Sequence, residues 1–252
     1  MNPNRRTAFI LAAGLGTRLK ELTSDKAKAL ININDKPLLK VTLESLISQG
    51  FNHFVINIHH FGEQIIDFLN NEDFGNIEIE ISDERSQLMD TGGAVIQALP
   101  YFSKSEAVLV HNVDVLTDIN LNTLYDDFCK SEEAAWLLTQ ERDNKRKLVF
   151  DKNDNFIGKY NIETDEFDGG TALPSESKLL SFSGIHIFKP KYFRTFKLKP
   201  RYIFDLYQKI EMASKFTGTA HVKSKLVTSN YWFDLGTQEQ LKNAESWLSS
   251  NR

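Results

Sequence analysis

Several short stretches of this chain hold residue types suited to phosphate chemistry. The first is Leu11-Ala12-Ala13-Gly14-Leu15-Gly16-Thr17-Arg18-Leu19. Two glycines one residue apart, straight after an apolar run, let backbone approach a ligand closely. Successive backbone N–H groups in such a turn cradle an anion. Thr17 and Arg18 add a hydroxyl and a guanidinium that suit phosphate oxygens. Downstream, Asp25-Lys26-Ala27-Lys28-Ala29-Leu30 offers two lysines one residue apart, and Asp90-Thr91-Gly92-Gly93-Ala94 offers a second glycine turn. Asp114, in His111-Asn112-Val113-Asp114, and Asp234, in Trp232-Phe233-Asp234-Leu235-Gly236-Thr237, each end an apolar stretch. Taken singly, such an aspartate reads as a helix cap, and Asp90 reads as the N-cap of a helix over Thr91–Leu99.

The glycine loop admits three further readings. A Walker A motif needs Gly-x-x-x-x-Gly-Lys-Ser/Thr, which is absent, and a dinucleotide fingerprint needs a third glycine where Leu19 stands. A tight turn with no ligand is the third, and Arg18 and Lys28 argue against it. His59-His60 and His111 invite a zinc reading, but no Cys or His partner lies at a recognisable spacing.

The elements that must position these residues alternate. Residues 8–13 read as a strand buried on both faces. A polar loop runs to about Lys36, Pro37 opens a helix that Gly50 stops, and Phe54–Ile58 is a second strand. A helical spacing around Ile65–Leu69, a strand over Ile77–Ile81, the Thr91–Leu99 helix and a strand over Ala107–Val110 complete a β-α-β-α-β-α-β order. That alternation predicts right-handed crossovers and a mixed, mainly parallel central sheet flanked by helices, an α/β Rossmann-like class. Ligands in such sheets bind at the carboxyl ends of strands. In the second half, Ala134–Thr139, Leu148–Phe150, Phe182–Phe188 and Tyr231–Phe233 read as strands, Tyr202–Met212 and Gln238–Leu248 as helices, and residues 163–178 as a loop or lid with Gly169-Gly170 in it. The reading is one domain over 1–252, with halves of about 7–130 and 131–252.

Composition sets the outer bounds. Of 252 residues, 30 are basic and 34 acidic, a net charge of −4, which argues against a nucleic-acid partner. Hydrophobic residues at 41% and charged residues at 25% fit a soluble globular chain rather than a disordered one. A single cysteine, Cys129, excludes an internal disulfide and a cysteine-based zinc site; it is expected on the buried face of a helix. No apolar run reaches the roughly 20 residues of a membrane span. Arg5-Arg6 before Thr7–Ala13 imitates a signal peptide, but Gly14 to Arg18 follows at once, so the run reads as a buried strand and the cytoplasm as the compartment.

On these motifs the chain resembles the sugar-1-phosphate nucleotidylyltransferases, over about residues 7–248. The family's Gly-x-Gly-Thr-Arg loop is matched by Gly14–Arg18. Its Pro-Lys-Pro segment is matched around Lys28, with Ala27 and Ala29 where prolines stand, and Lys36-Pro37-Leu38 opens the next helix. Its Asn-Gly-Asp corresponds to Asn112-Val113-Asp114, and its Trp-x-Asp-x-Gly-Thr to Trp232–Thr237. The resemblance implies the nucleotide-diphospho-sugar transferase fold, and substrates that are a nucleoside triphosphate and a sugar 1-phosphate, in a monomer or homodimer. It also implies catalysis by Arg18 and Lys28, and nucleotide binding by Leu11, Ala12, Ala13, Gly14, Gly16, Thr17, Thr91, Gly92 and Gly93. Sugar binding falls to Asn112, Ser183 and Gly184, and Mg²⁺ to Asp114 and Asp234, a hard cation suited to carboxylate and phosphate oxygens.

The Asp-Thr-Gly-Gly turn and Phe182-Ser183-Gly184-Ile185 look most like uridylyltransferases acting on N-acetylmuramic acid 1-phosphate in cell-wall recycling. Guanylyltransferases of mannose or heptose 1-phosphate share almost all these motifs, and choline-phosphate cytidylyltransferases stand further off. An inactive nucleotide-sugar sensor on the same fold is the reading from another class, with Val113, Ala27 and Ala29 in its favour; a nicotinamide-dependent dehydrogenase is disfavoured.

Overall fold

The computed structural model describes residues 5–251, apart from the Lys20 side chain. In chain order the strands and helices begin with β1 (Thr7–Leu11), β2 (Asn32–Ile33), β3 (Lys36–Pro37), α1 (Leu38–Ser48), β4 (His53–Ile58), α2 (Gly62–Asn71) and β5 (Glu78–Asp83). Then come α3 (Asp90–Ala98), β6 (Val108–Asn112), β7 (Val115–Thr117), α4 (Leu121–Lys130) and β8 (Ala135–Gln140). The rest are β9 (Arg146–Phe150), β10 (Phe156–Asn161), β11 (Glu166–Phe167), β12 (Lys178–Phe188), α5 (Ile203–Thr217), β13 (Val222–Leu226), β14 (Trp232–Asp234) and α6 (Gln238–Ser250).

The chain divides into two compact units. The loop-bearing unit comprises the described residues of Asn2–Leu88, His111–Asn122 and Ser229–Arg252. Its centre is a parallel ladder in which β4 pairs with both β1 and β5, with Leu11 opposite Asn57 and Asn57 opposite Ser82 at the carboxyl ends. Phe9, Ile10, Phe54, Val55 and Ile56 are fully buried, as the continuous apolar runs predict. Helix α1 starts directly after Pro37, whose fixed φ of −56° and missing N–H suit a helix entry, and buries Leu39, Leu43 and Leu46. A short antiparallel pair, β7 with β14, places Asp234 opposite Val115.

The second unit comprises Met89–Val110 and Thr123–Thr228. Here the pairing is mostly antiparallel: β12 pairs with β8 and β9, β9 with β10, and β10 with β11, while β13 joins β8 in parallel. Its core is aromatic. Phe188 lies 4.6 Å from Phe193 and 6.0 Å from Phe102 between ring centroids, and Tyr207 closes the cluster against Phe193 at 5.8 Å. A second chain of tilted and edge-on rings joins Phe150, Phe156, Phe204 and Phe182 and meets the first cluster through His186.

Several elements differ from the sequence expectation. Strand β1 ends at Leu11, so Ala12 and Ala13 belong to the loop. The polar stretch after Gly16 is two 3₁₀ turns, Thr17–Thr23 and Lys28–Leu30, and the β2–β3 hairpin, all too short to carry a helical or alternating pattern. Strands β7, β10, β11 and β13 and helix α4 go unannounced by periodicity; β10 carries Gly158 inside it, which weakens its strand pattern. Asp90 does not cap α3: it is the first helical residue, at φ 54°, and no side chain caps that end. Cys129 lies on α4, in no disulfide, and is half-buried rather than buried. No helix among the described residues is long and apolar enough to cross a membrane.

Candidate active site

Asn57 anchors the start of the glycine loop at the carboxyl end of the parallel ladder. It is a polar residue inside the apolar run Phe-Val-Ile-Asn-Ile, and it is 4% exposed. Its Oδ1 accepts from the backbone N–H of Ala12 at 2.7 Å and of Ala13 at 3.2 Å. Beyond them the N–H groups of Gly14, Leu15 and Gly16 donate to no acceptor among the described residues. Gly16 sits at φ 66°, in the left-handed region, and a Cβ there would stand 2.7 Å from the Thr23 methyl. The Thr23 hydroxyl donates to the Gly16 carbonyl at 3.0 Å and pins the turn. Three unpaired N–H groups in such a turn present positive dipole outward, which is what an anionic phosphate needs.

The lysine segment is held from α2. Gln64 accepts from the Ala27 N–H at 3.0 Å and donates to the Asp25 carbonyl at 2.8 Å. A proline at 27 would lack the first of these donors, so the alanine is used here rather than merely tolerated. Ala27 and Ala29 are buried and Lys26 is exposed. Lys28, with its side chain 11% exposed, forms an ion pair and hydrogen bond with Asp114.

Asp114 and Asp234 come together through the β7–β14 pair, where the Leu235 N–H donates to the Asp114 carbonyl at 2.8 Å. The Asp234 Oδ1 accepts from the Gly236 N–H at 2.9 Å. A Cβ on Gly236 would stand 2.6 Å from the Arg18 Nη2 and 2.8 Å from the Asp234 Oδ1, so the guanidinium lies over this turn beside the carboxylate. Each aspartate keeps one carboxylate oxygen without a partner among the described residues. Two carboxylates with free oxygens, carried at the ends of paired strands, are a donor set that fits a hard divalent cation such as Mg²⁺. Burial pushes the nearby His111 down to about 4, against the Asn112 carbonyl and the Asp114 charge, so this imidazole is neutral at pH 7.

A second acidic cluster, His53 with Glu78 and Glu80, lies at the opposite, amino end of the ladder. Arg5 already pairs with both carboxylates, at 2.5 Å from Glu78 and 3.7 Å from Glu80, and His53 Nε2 bonds Glu80 at 2.7 Å. His59 and His60 fall in the turn after β4, so neither lies on a strand.

The remaining expected positions lie in the second unit, apart from half-buried Asn112 at the end of β6. The Gly92 and Gly93 N–H groups both donate to the Arg201 carbonyl, at 2.9 and 3.2 Å, and the Thr91 hydroxyl accepts from the Ile203 N–H at 3.0 Å. A Cβ on Gly92 would stand 2.7 Å from the Tyr202 carbonyl, so close backbone packing explains this glycine. Ser183 is fully buried and Gly184 takes φ 82° within β12. Neither lines the cavity next to them. That cavity, about 820 Å³, is walled by Arg146, Lys147, Lys159, Tyr160, Phe182 and Phe204 among others. Lys147 donates to the Ser181 hydroxyl at 3.0 Å and Lys159 pairs with Asp168 at 3.0 Å, while exposed Arg146 has no acidic partner among the described residues. Sequence reading missed these positions, and missed Asn57; a polar residue within a fully apolar strand was the available signal for the latter.

With this geometry in view, comparison with known proteins gives the class. The nucleotidyl transferase family model matches residues 7–250, and the chain belongs to that family, among its sugar-1-phosphate nucleotidylyltransferases. It is 31% identical over 250 residues to the N-acetylmuramate alpha-1-phosphate uridylyltransferase of Neisseria meningitidis, covering 95% of this chain and 96% of that one. It is 30% identical over 237 residues to the D-glycero-alpha-D-manno-heptose 1-phosphate guanylyltransferase of Campylobacter jejuni, covering 92% and 95%. The crystal structure of HddC from Yersinia pseudotuberculosis in complex with GMP-PN shares the fold, with a TM-score of 0.73 at 21% identity over 96% of this chain and 99% of that one.

Proposed function

We propose that this protein condenses UTP with N-acetylmuramic acid 1-phosphate to give the UDP-sugar and pyrophosphate. The observation that carries the reaction class is the cluster around the glycine loop: unpaired loop N–H groups, Lys28 on Asp114, and Asp234 beside Arg18. The sugar phosphate is already an anion, so its attack on the α-phosphorus needs no general base. The work is to bring two anions together and stabilise the charge of the transition state.

In this reading Gly14–Thr17 and Arg18 hold the β- and γ-phosphates, and Lys28 offsets charge on the reacting phosphates. Asp114 and Asp234 would hold Mg²⁺, which supplies Lewis-acid polarisation of phosphate oxygens when bound. The sugar would occupy the 820 Å³ cavity, whose rings Phe182 and Phe204 offer apolar faces and whose walls carry amide, phenol and cationic groups and, at Glu166 and Asp168, carboxylates. Arg146 is what favours an acidic sugar: a guanidinium without an acidic partner suits the carboxylate of a muramic acid. The 31% identity to the Neisseria uridylyltransferase supports the same choice. GTP with a heptose or mannose 1-phosphate is the second reading, favoured by the Campylobacter guanylyltransferase at nearly equal identity.

The test is pyrophosphate release with Mg²⁺ from UTP, GTP, CTP, ATP and dTTP, each against N-acetylmuramic acid, mannose, heptose, glucose and N-acetylglucosamine 1-phosphates and phosphocholine. Preference for UTP with the muramic acid phosphate is expected. Preference for GTP with heptose phosphate would replace that substrate reading, and nucleotide binding without release from any pair would leave a sensor.

A further inference from the structure

We propose that Asn57 and the buried carboxylate of Glu84 form a positioning pair that sets the outward aim of the glycine-loop N–H groups. The inference rests on the reading that Gly14–Thr17 hold phosphates, and it concerns residues that touch no substrate themselves. Glu84 is 1% exposed, and its Oε1 accepts from the Asn57 Nδ2 at 2.8 Å. The Glu84 backbone is fixed on both sides: its N–H donates to the Ile58 carbonyl at 2.8 Å, and its carbonyl accepts from the His59 Nδ1 at 2.7 Å.

The orientation of the Asn57 amide follows from these partners. Its NH₂ must face a carboxylate that only accepts, so its oxygen must face the Ala12 and Ala13 N–H groups. That consumes the first two donors after β1 inside the protein. The next ones, on Gly14, Leu15 and Gly16, are left outside with no acceptor among the described residues. An aliphatic residue at 57 would orphan two buried N–H groups, which would turn to find other acceptors and carry the loop with them. A carboxylate at 57 could still accept from both N–H groups, but its second oxygen would then meet the Glu84 oxygen.

This polarity argument yields a reciprocal test. Asn57→Asp sets two acceptors against each other. Glu84→Gln alone is mild, since the new amide can present its oxygen to Asn57. Combining the two rebuilds the hydrogen bond in reverse, with the residue-84 amide donating to the residue-57 carboxylate. We expect N57D to raise KM for the nucleoside triphosphate by about 30-fold or more, in keeping with a lost buried hydrogen bond to a charged group, with KM for the sugar phosphate unchanged. E84Q should stay within about threefold of wild type and the double variant should recover most of the loss.

Hydrogen exchange at Ala12 and Ala13 should quicken in N57D and return in the double variant. This readout needs no turnover, so it tests the pair even if the proposed reaction fails. Should N57D not fold, Glu84→Leu against Glu84→Gln gives the same comparison, with the leucine variant expected to show the KM rise and fast exchange. Unchanged exchange and nucleotide KM in N57D, or a loss that E84Q does not repair, or one shared equally by the sugar phosphate, would overturn the proposal.

Discussion

Two buried polar residues, one in each unit, are treated in opposite ways. In the loop-bearing unit, Asn57 is inserted into an aliphatic ladder and satisfied on every side, by Ala12, Ala13 and Glu84. In the aromatic unit, His186 is buried beside Phe182, Phe188 and Tyr207, and neither its ring nitrogens nor the Tyr207 hydroxyl has a hydrogen-bond partner among the described residues. A satisfied network specifies one geometry for the backbone it touches, whereas unsatisfied groups are carried at a cost by surrounding packing. Asn57 is therefore placed to aim a loop, whereas His186 is held by the rings around it.

Phe188→Ala strikes that contrast hardest. Truncating this fully buried ring should lower unfolding free energy by about 3–5 kcal/mol in chemical denaturation, while the folded fraction keeps its turnover. A smaller loss, or a variant that folds well but is inactive, would mean that the aromatic core does more than support.

Lys28→Met is the converse. It should lower kcat by roughly 100-fold, about 2.7 kcal/mol of transition-state stabilisation, with a denaturation midpoint close to wild type. Steady-state rates on the two proteins decide this, and an equal fall in stability would show that the Lys28–Asp114 pair serves the fold instead.

The smallest expected effect lies in acid. Burial lowers His186 to about 3, against an ordinary 6.5, so below pH 6.5 the unfolded chain binds a proton that the folded chain does not. Its stability contribution is complete above pH 6.5 and is lost as pH falls toward 3, about 2 kcal/mol of it by pH 5. His186→Phe should flatten that part of the profile, leaving the slope that His111, lowered to about 4, still contributes. Denaturation curves at pH 7 and pH 5 measure the difference, and an unchanged slope would show that another group carries it.

Legibility in the sequence follows the same divide. The glycine loop was readable because its members are contiguous: a strand end, two glycines, Thr17 and Arg18 lie within eight residues of Leu11. Lys28 and the two aspartates were readable as motifs, but the pairing that brings Asp234 to Asp114 was not, because β7 and β14 are three residues each. The cavity of the second unit was unreadable for a different reason. Antiparallel pairing gathers Asn144, Arg146, Tyr160, Phe182 and Phe204 from a loop, three strands and a helix, and no local pattern links them. Ser183 and Gly184 stand out by motif, yet alternation on β12 turns Phe182 to the cavity and Ser183 away from it, and Gly184, at φ 82°, lies where the β12 register shifts between Phe182 and His186. At Gly92 the motif was visible but its cause was not, since the backbone it packs against lies more than a hundred residues on.

The central claim is that the chemistry sits on the carboxylates beside the glycine loop, and Asp234→Ala tests it most directly. Pyrophosphate release by this variant, with Mg²⁺ and the best substrate pair, should fall by about a thousandfold or more, with the denaturation midpoint held. Release near the wild-type rate from the folded variant would contradict the account.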